Sequence, residues 1–151
     1  MNHQERAVQL FSQGCNCAQA VFVAFCDLTG LPERQAMRLS SSFGGGLGRM
    51  REVCGALSGG AMVLGWLYGY ETPGDDASKK EHYARVQSLA AAFRQKHGSI
   101  LCRELLGNPD SSPNPTPRTE GFYHSRPCAG FVADVAGLVE DYIREHPERK
   151  E

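Results

Sequence analysis

The chain has 151 residues, enough for one domain with a single sizeable core. Apolar residues make up 41% and charged residues 22%, an ordinary balance for a soluble globular protein. A formal net charge of −1 leaves no electrostatic case for nucleic acid or an anionic membrane surface as partner.

The start, MNHQERAVQLF, is charged and helix-like, and it lacks the basic and long apolar regions of a secretory signal. A reducing, cytoplasmic setting is therefore expected, without a membrane. A first helix is predicted from Gln4 to about Ser12, stopping at Gly14. Asn16 is an N-cap for a second, CAQAVFVAFCDL, which stops at Gly30. Pro32 suits the first turn of a third, PERQAMRLS. Gly44, Gly45, Gly46 and Gly48 make a loop. A fourth helix follows from about Glu52 to Tyr68. It holds most of the apolar run Ala56 to Tyr70, about 15 residues and shorter than a bilayer span, which reads as a buried core helix.

TPGDD is a turn that starts a fifth helix, ASKKEHYARVQSLAAAFRQKH, with Tyr83, Val86, Leu89, Ala90 and Phe93 on one face. Gly98 ends it, and Ser99 caps a short sixth, ILCRELLG. NPDSSPNPTPRTEG is a polar, proline-rich surface loop, the only linker-like stretch. Pro127 opens a last helix to about His146, with Phe131, Val135, Leu138 and Tyr142 at core spacing. Alternating β-branched segments are scarce. The expectation is an all-α single domain over 1–146 with about six or seven helices, a Gly-rich loop before a buried central helix, and a polar tail over 147–151.

Six cysteines, at 15, 17, 26, 54, 102 and 128, are many for this length. In a reducing compartment such a set points to metal binding or redox chemistry rather than structural disulfides. No two form a Cys-x-x-Cys, so a zinc ribbon, a thioredoxin motif and covalent haem attachment have no support. On the predicted map Cys17, Cys54, Cys102 and Cys128 each fall near a helix N-terminus. Unpaired backbone N–H groups and the positive end of the helix dipole favour an anion there, and a thiolate is one. Thiolates bound to iron also gain from N–H donors aimed at their sulfurs. Gly44, Gly45, Gly46 and Gly55 would let backbone approach such a group closely.

Cys26 lies nine residues after Cys17, a rotation of about 900° on one helix, which puts it on the opposite face as an apolar filler. Cys15 either joins the site or occupies the turn. For any one cysteine, burial as a small hydrophobe is as good a reading as chemistry; four at equivalent positions favour shared chemistry. His124, four residues before Cys128, is a weaker candidate ligand or proton carrier in a polar loop. His82 and His97 read as packed or solvated. Arg49 and Arg51 flank the glycine loop, where exposed loop arginines are the plainer reading and anion holders near Cys54 the sharper one. GGGLG follows no strand and precedes no Gly-Lys-Ser/Thr, so a nucleotide loop is poorly supported.

NCAQAV, FGGGLGR, CGALSGG, GSILCRELLG and CAGFVADVAGLVED, in that order from Cys15 to Tyr142, resemble the redox-active proteins named for their C_GCAxxG_C_C cysteine pattern. Carried over residue by residue, the family cysteines fall on Cys17, Cys54, Cys102 and Cys128. The family is also similar to the non-haem part of split-Soret cytochromes, which implies an iron–sulfur centre on such cysteines. The expected function is redox: the four cysteines hold an iron–sulfur cluster for electron transfer with a redox partner protein, with a three-thiolate site, or His124 as fourth ligand, as variants. A metal-free thiol–disulfide protein and a structural zinc site in an interaction module are the alternatives. No catalytic residue is assigned, and a homodimer is left open.

Overall fold

A computed structural model of the chain describes residues 1–149. It is all-helical, with no strand among the described residues: α1 His3–Ser12, α2 Cys17–Ala24, α3 Cys26–Thr29, α4 Glu33–Ser40, α5 Gly55–Tyr68, α6 Asp76–His97, α7 Cys102–Leu105, α8 Glu120–Ser125 and α9 Cys128–Glu145. No described helix is long and apolar enough to cross a membrane. The polar tail expected over 147–151 starts where α9 has ended, and its last two positions lie outside the described residues.

α5 is apolar nearly all round, as a helix enclosed by others must be. α2 and α9 pack against it, α1 packs across α2 and α9, and α6 covers another side. Phe22, Phe25, Phe93, Leu64, Val132 and Val135 fill the centre and are essentially inaccessible. On α6 the buried face is His82, Leu89 and Phe93, with Val86 partly buried. Tyr83, expected on that face, is 50% exposed. Val86, Leu89, Ala90 and Phe93 keep the expected face, but at its first turn the imidazole of His82, not Tyr83, takes the inward position.

Among the described residues there are nine α-helices instead of six or seven, for two local reasons. The predicted second helix breaks at Phe25 (φ −103°, ψ 15°), whose N–H reaches back only to the Phe22 carbonyl. The Phe25 ring is buried and stacks on His3, centroids 4.2 Å apart. Its burial outweighs one continuous-helix hydrogen bond, and α3 starts afresh. The rotation argument for Cys26 therefore fails: Cys26 opens a different helix and is only partly buried. The second addition, α8, lies just past the proline-rich loop. Thr119 caps it by accepting from the Phe122 N–H, so His124 sits on a helix rather than in a loop.

Candidate four-cysteine centre

Each of the four cysteines stands at a helix start, and each start has a local cause. Asn16 caps α2 through a reciprocal pair of bonds: its side chain accepts from the Gln19 N–H at 2.9 Å, and Gln19 returns one to the Asn16 N–H at 3.0 Å. Cys17 is then the first helical residue. Pro127, which has no N–H to satisfy, precedes Cys128 at the start of α9.

Cys54 and Cys102 are placed by one short antiparallel bridge between Val53 and Leu101. The Cys54 N–H donates to the Ile100 carbonyl at 2.8 Å, and the Cys102 N–H donates to Glu52 at 2.6 Å. This pairing keeps residues 52–54 extended. α5 consequently begins at Gly55 rather than near Glu52, with Cys54 as its N-cap. For the same reason the sixth predicted helix shrinks to α7; Ser99 accepts from the Leu101 N–H just outside it.

Before the bridge the chain makes an unusual turn. Gly45, Gly46, Leu47, Gly48 and Arg49 all have positive φ, between 53° and 74°, and Arg51 follows at 64°. L-residues visit this region singly, at about 1–2 kcal/mol each. Long-reach bonds hold the coil shut: Arg49 N–H to Gly44, Arg51 N–H to Gly45 and Glu52 N–H to Gly46, at 2.8–3.0 Å. A side chain at Gly46 would run into the Glu52 nitrogen at 2.6 Å and the Cys102 Cβ at 2.8 Å. One at Gly55 would meet the Phe43 carbonyl at 2.8 Å and the Cys17 Cβ at 3.3 Å. Gly44 is pressed against the Asn16 side chain. The position a Cβ would take at these glycines is thus filled by the chain itself, and their smallness lets the cysteine-bearing segments close on one another.

The four sulfur-bearing residues line one small cavity of about 30 Å³, together with Gly45, Gly46, Gly55 and Arg51. Cys54, Cys102 and Cys128 are buried, and Cys17 is partly exposed. Cys15 and Cys26 do not line this cavity: Cys15 is buried with its thiol 3.8 Å from the Met37 sulfur. His124 is exposed and lines neither this cavity nor its neighbour.

The electrostatics divide the four. Cys17 and Cys128 line the same small cavity. The influence of the neighbouring Cys17 thiol, with help from the Arg126, Arg118 and Arg51 guanidiniums, lowers the Cys128 thiol to about 7 against its burial. The neighbouring Cys128 thiol, then burial, pushes Cys17 well up. Burial raises Cys54 to about 11, although the Leu57 and Ala56 N–H groups at the start of α5 favour its thiolate. Burial raises Cys102 as well, opposed by Arg51.

Arg51 reads differently in the structure than as an exposed loop arginine. It is 5% exposed, its Nε donates to the Asp110 carbonyl at 3.0 Å, and Nη1 points at the Cys102 sulfur from 3.7 Å. Among the described residues no carboxylate pairs with it. Arg49 is also drawn in. It donates to Ser112 and Thr116 and pairs with Asp110 at 3.1 Å, pinning the proline-rich loop over the site. Arg118 and Arg126, which sequence reasoning missed, reach the same region. Arg126 had a signal in standing two residues before Cys128; Arg118, inside a polar loop, had none.

A family model described as "Putative redox-active protein (C_GCAxxG_C_C)" matches residues 15–142. The chain belongs to this family. No curated protein and no solved structure matches it. The match takes in all six cysteines, and four of them, Cys17, Cys54, Cys102 and Cys128, line the small cavity.

As a donor set, four cysteines suit soft, thiolate-binding metals and iron–sulfur groups. Among the described residues no three His, Cys, Asp or Glu side chains stand as a ready-made site for a single ion. The cysteines surround a cavity instead of a point, and that cavity has room for no more than about two waters. The donor chemistry fits a cluster; its bulk requires the helix starts to part slightly.

Proposed function

We propose that the protein moves electrons through a centre built on Cys17, Cys54, Cys102 and Cys128, and that an iron–sulfur cluster is the group they hold. The observation that carries this reading is Arg51. A buried guanidinium without a carboxylate calls for another anion, and what it faces is the sulfur of Cys102. Four neutral thiols would leave that cation uncompensated; a thiolate-bound centre of net negative charge answers it. When bound, such a cluster accepts and donates single electrons. The chain's own contributions are four thiolates, the Ala56 and Leu57 N–H groups beside Cys54, the Arg51 cation, and exclusion of water from the inner sulfurs. Loading displaces the protons now held on Cys17, by its neighbour Cys128 and burial, and on Cys54 and Cys102, by burial, so metal uptake is expected to weaken as pH falls.

A specific observation favours one other reading, a metal-free dithiol: Cys17 and Cys128 line both the inner cavity and the larger chamber beside it, and Cys128 is the acidic partner. In that case Cys17 and Cys128 lose two protons and two electrons to an acceptor disulfide, which leaves as two thiols.

The test is anaerobic reconstitution with iron and sulfide, comparing wild type with Cys54→Ser and Cys26→Ser by visible absorbance, iron and sulfide content per folded chain. A serine hydroxyl is a far poorer soft-metal ligand than a thiolate. Cys54→Ser is expected to lose the absorbance at near wild-type helicity, while Cys26→Ser keeps it. Equal cluster content in Cys54→Ser and wild type sinks the ligand role. A colourless wild type that forms a reversible Cys17–Cys128 disulfide selects the dithiol.

A further inference from the structure

Beyond the small cysteine cavity lies a second, larger chamber of about 350 Å³. Cys17 and Cys128 line both, whereas Cys54 and Cys102 line only the inner one. The outer chamber is at the lower end of small-molecule pocket size, suited to a metabolite of one ring or its equivalent. Much of its wall is apolar, formed by Phe11, Phe122, Pro113 and Pro115.

Its charged lining is one-sided. Arg49, Arg51, Arg118 and Arg126 all face it, and no aspartate or glutamate does. Arg49 is matched by Asp110, and Arg51 is engaged with Cys102. Arg118 stands over Phe11 and Phe122, its guanidinium carbon 4.6 and 4.7 Å from their centroids, and donates only to neutral partners, the Phe11 and Cys15 carbonyls and Tyr123. Arg126 stands over Phe122 at 5.5 Å, and among the described residues none of its guanidinium hydrogens is taken by a hydrogen bond or an ion pair.

Arg126 keeps its in-plane N–H fork available, and that fork matches the oxygens of a carboxylate or phosphate; Arg118, with three bonds made, adds its charge and its remaining N–H groups. Of the four arginines, Arg51 is the one that also lines the inner cavity, with its Nη1 at the Cys102 sulfur. Arg118 and Arg126 are set further out, on the aromatic wall, where an incoming molecule meets them first. An apolar wall with two cations that, among the described residues, pair with no carboxylate recognises an apolar body with an anionic end; a neutral or cationic molecule leaves both guanidiniums without one.

From this arrangement we infer that the outer chamber binds a small organic anion, an apolar body bearing a carboxylate or phosphate, with its oxyanion on Arg126 and Arg118 and its body against Phe11 and Phe122 beside Cys17 and Cys128. The site rests on the redox reading only for what becomes of the bound anion. Binding needs no electron transfer and is measured without it.

The test is calorimetric titration of the purified chain with benzoate, phenyl phosphate and benzyl alcohol. The first two present the same head-group class from its two sources, and the third is the neutral control. At least one anion is expected to bind one per chain, about tenfold or more tighter than benzyl alcohol, as one or two charge-assisted hydrogen bonds give. Arg126→Gln removes that preference, Arg34→Gln on exposed α4 surface keeps it, and higher salt weakens the anions alone. Circular dichroism confirms that each variant is folded; should Arg126→Gln not fold, the salt series on wild type decides. Failure of both anions to bind, binding no tighter than that of benzyl alcohol, or an unchanged preference in folded Arg126→Gln overturns the inference. None of these outcomes touches the cluster or dithiol result, which Cys54→Ser reports separately.

Discussion

Replacing Gly46 by alanine tests how the centre is held together. Gly46 has φ +74°, and an added Cβ meets the Glu52 nitrogen at 2.6 Å, the Cys102 Cβ at 2.8 Å and the Arg51 carbonyl carbon at 2.9 Å. Two of those atoms are backbone in a coil closed by hydrogen bonds, and the third belongs to a buried cysteine, so none can swing aside. The left-handed conformation alone costs an alanine about 1–2 kcal/mol. Forcing a methyl into a filled space adds about 1–3 kcal/mol. Together they come to roughly 2–5 kcal/mol, a large part of the ~5–15 kcal/mol that holds a typical domain folded.

Gly98→Ala separates the two effects. Gly98 has φ +88° with nothing within 4 Å of a Cβ, so it carries the conformational cost without the collision. The assay is urea unfolding of both variants and wild type, with the slope checked for constancy so that midpoints report stability. Gly46→Ala is expected to lose about 1–3 kcal/mol more than Gly98→Ala. Equal losses would show that the coil yields and that the cysteine-bearing segments are not locked against each other at Gly46.

In the metal-free reduced protein, iodoacetamide is expected to modify Cys128 with a half-maximal rate near pH 7, well below the pH that Cys54 requires, as peptide mapping reads directly. The sign for stability follows from the same group. Its thiol is lowered from the ordinary 9.0 to about 7, so its contribution is complete above pH 9 and is lost as pH falls through 7, which urea midpoints across that range check. Cys54, raised to about 11, acts oppositely: its contribution is present below pH 9 and lost as pH rises through 11. Asn16→Ala removes the cap of α2 and the bond from its amide to the Ser41 carbonyl at 3.2 Å; a loss of about 1–2 kcal/mol is expected by the same unfolding assay, and no measurable loss refutes the capping role.

The helices that position the site were legible because their punctuation is local. Asn16, Pro32, Gly98 and Pro127 act within a turn of themselves, and Asn16 and Pro127 mark boundaries where cysteines stand. What escaped the sequence is set by residues far apart. The break at Phe25 depends on His3 across the bundle, and the late start of α5 depends on Leu101 pairing with Val53. Tyr83 is the more hydrophobic residue yet yields the inner position to His82. The linker-like loop after Asn108 is fastened by Arg49, more than fifty residues earlier, and this turns a surface stretch into a wall of the outer chamber. Arg118 and Arg126 became visible only once that wall existed. The crowding of glycines before Cys54 was plain in the sequence, but its use was not: the left-handed coil and its closure on Cys102 need three dimensions to be seen.

The meeting of Cys17 with Cys128 also bears on the chain as a polymer. The two residues lie near opposite ends of the sequence, and the contact between them closes a ring that contains most of the fold, including the segments that bring Cys54 and Cys102. Any covalent or coordinate link across that contact forbids the unfolded chain its more extended states. For a ring of on the order of a hundred residues this restriction is worth about 4–5 kcal/mol. The state of the sulfurs is thereby written into how firmly the whole protein holds together. Linked and unlinked forms will differ in unfolding midpoint even where their native structures coincide, and a cell's proteases can distinguish the two without touching the centre.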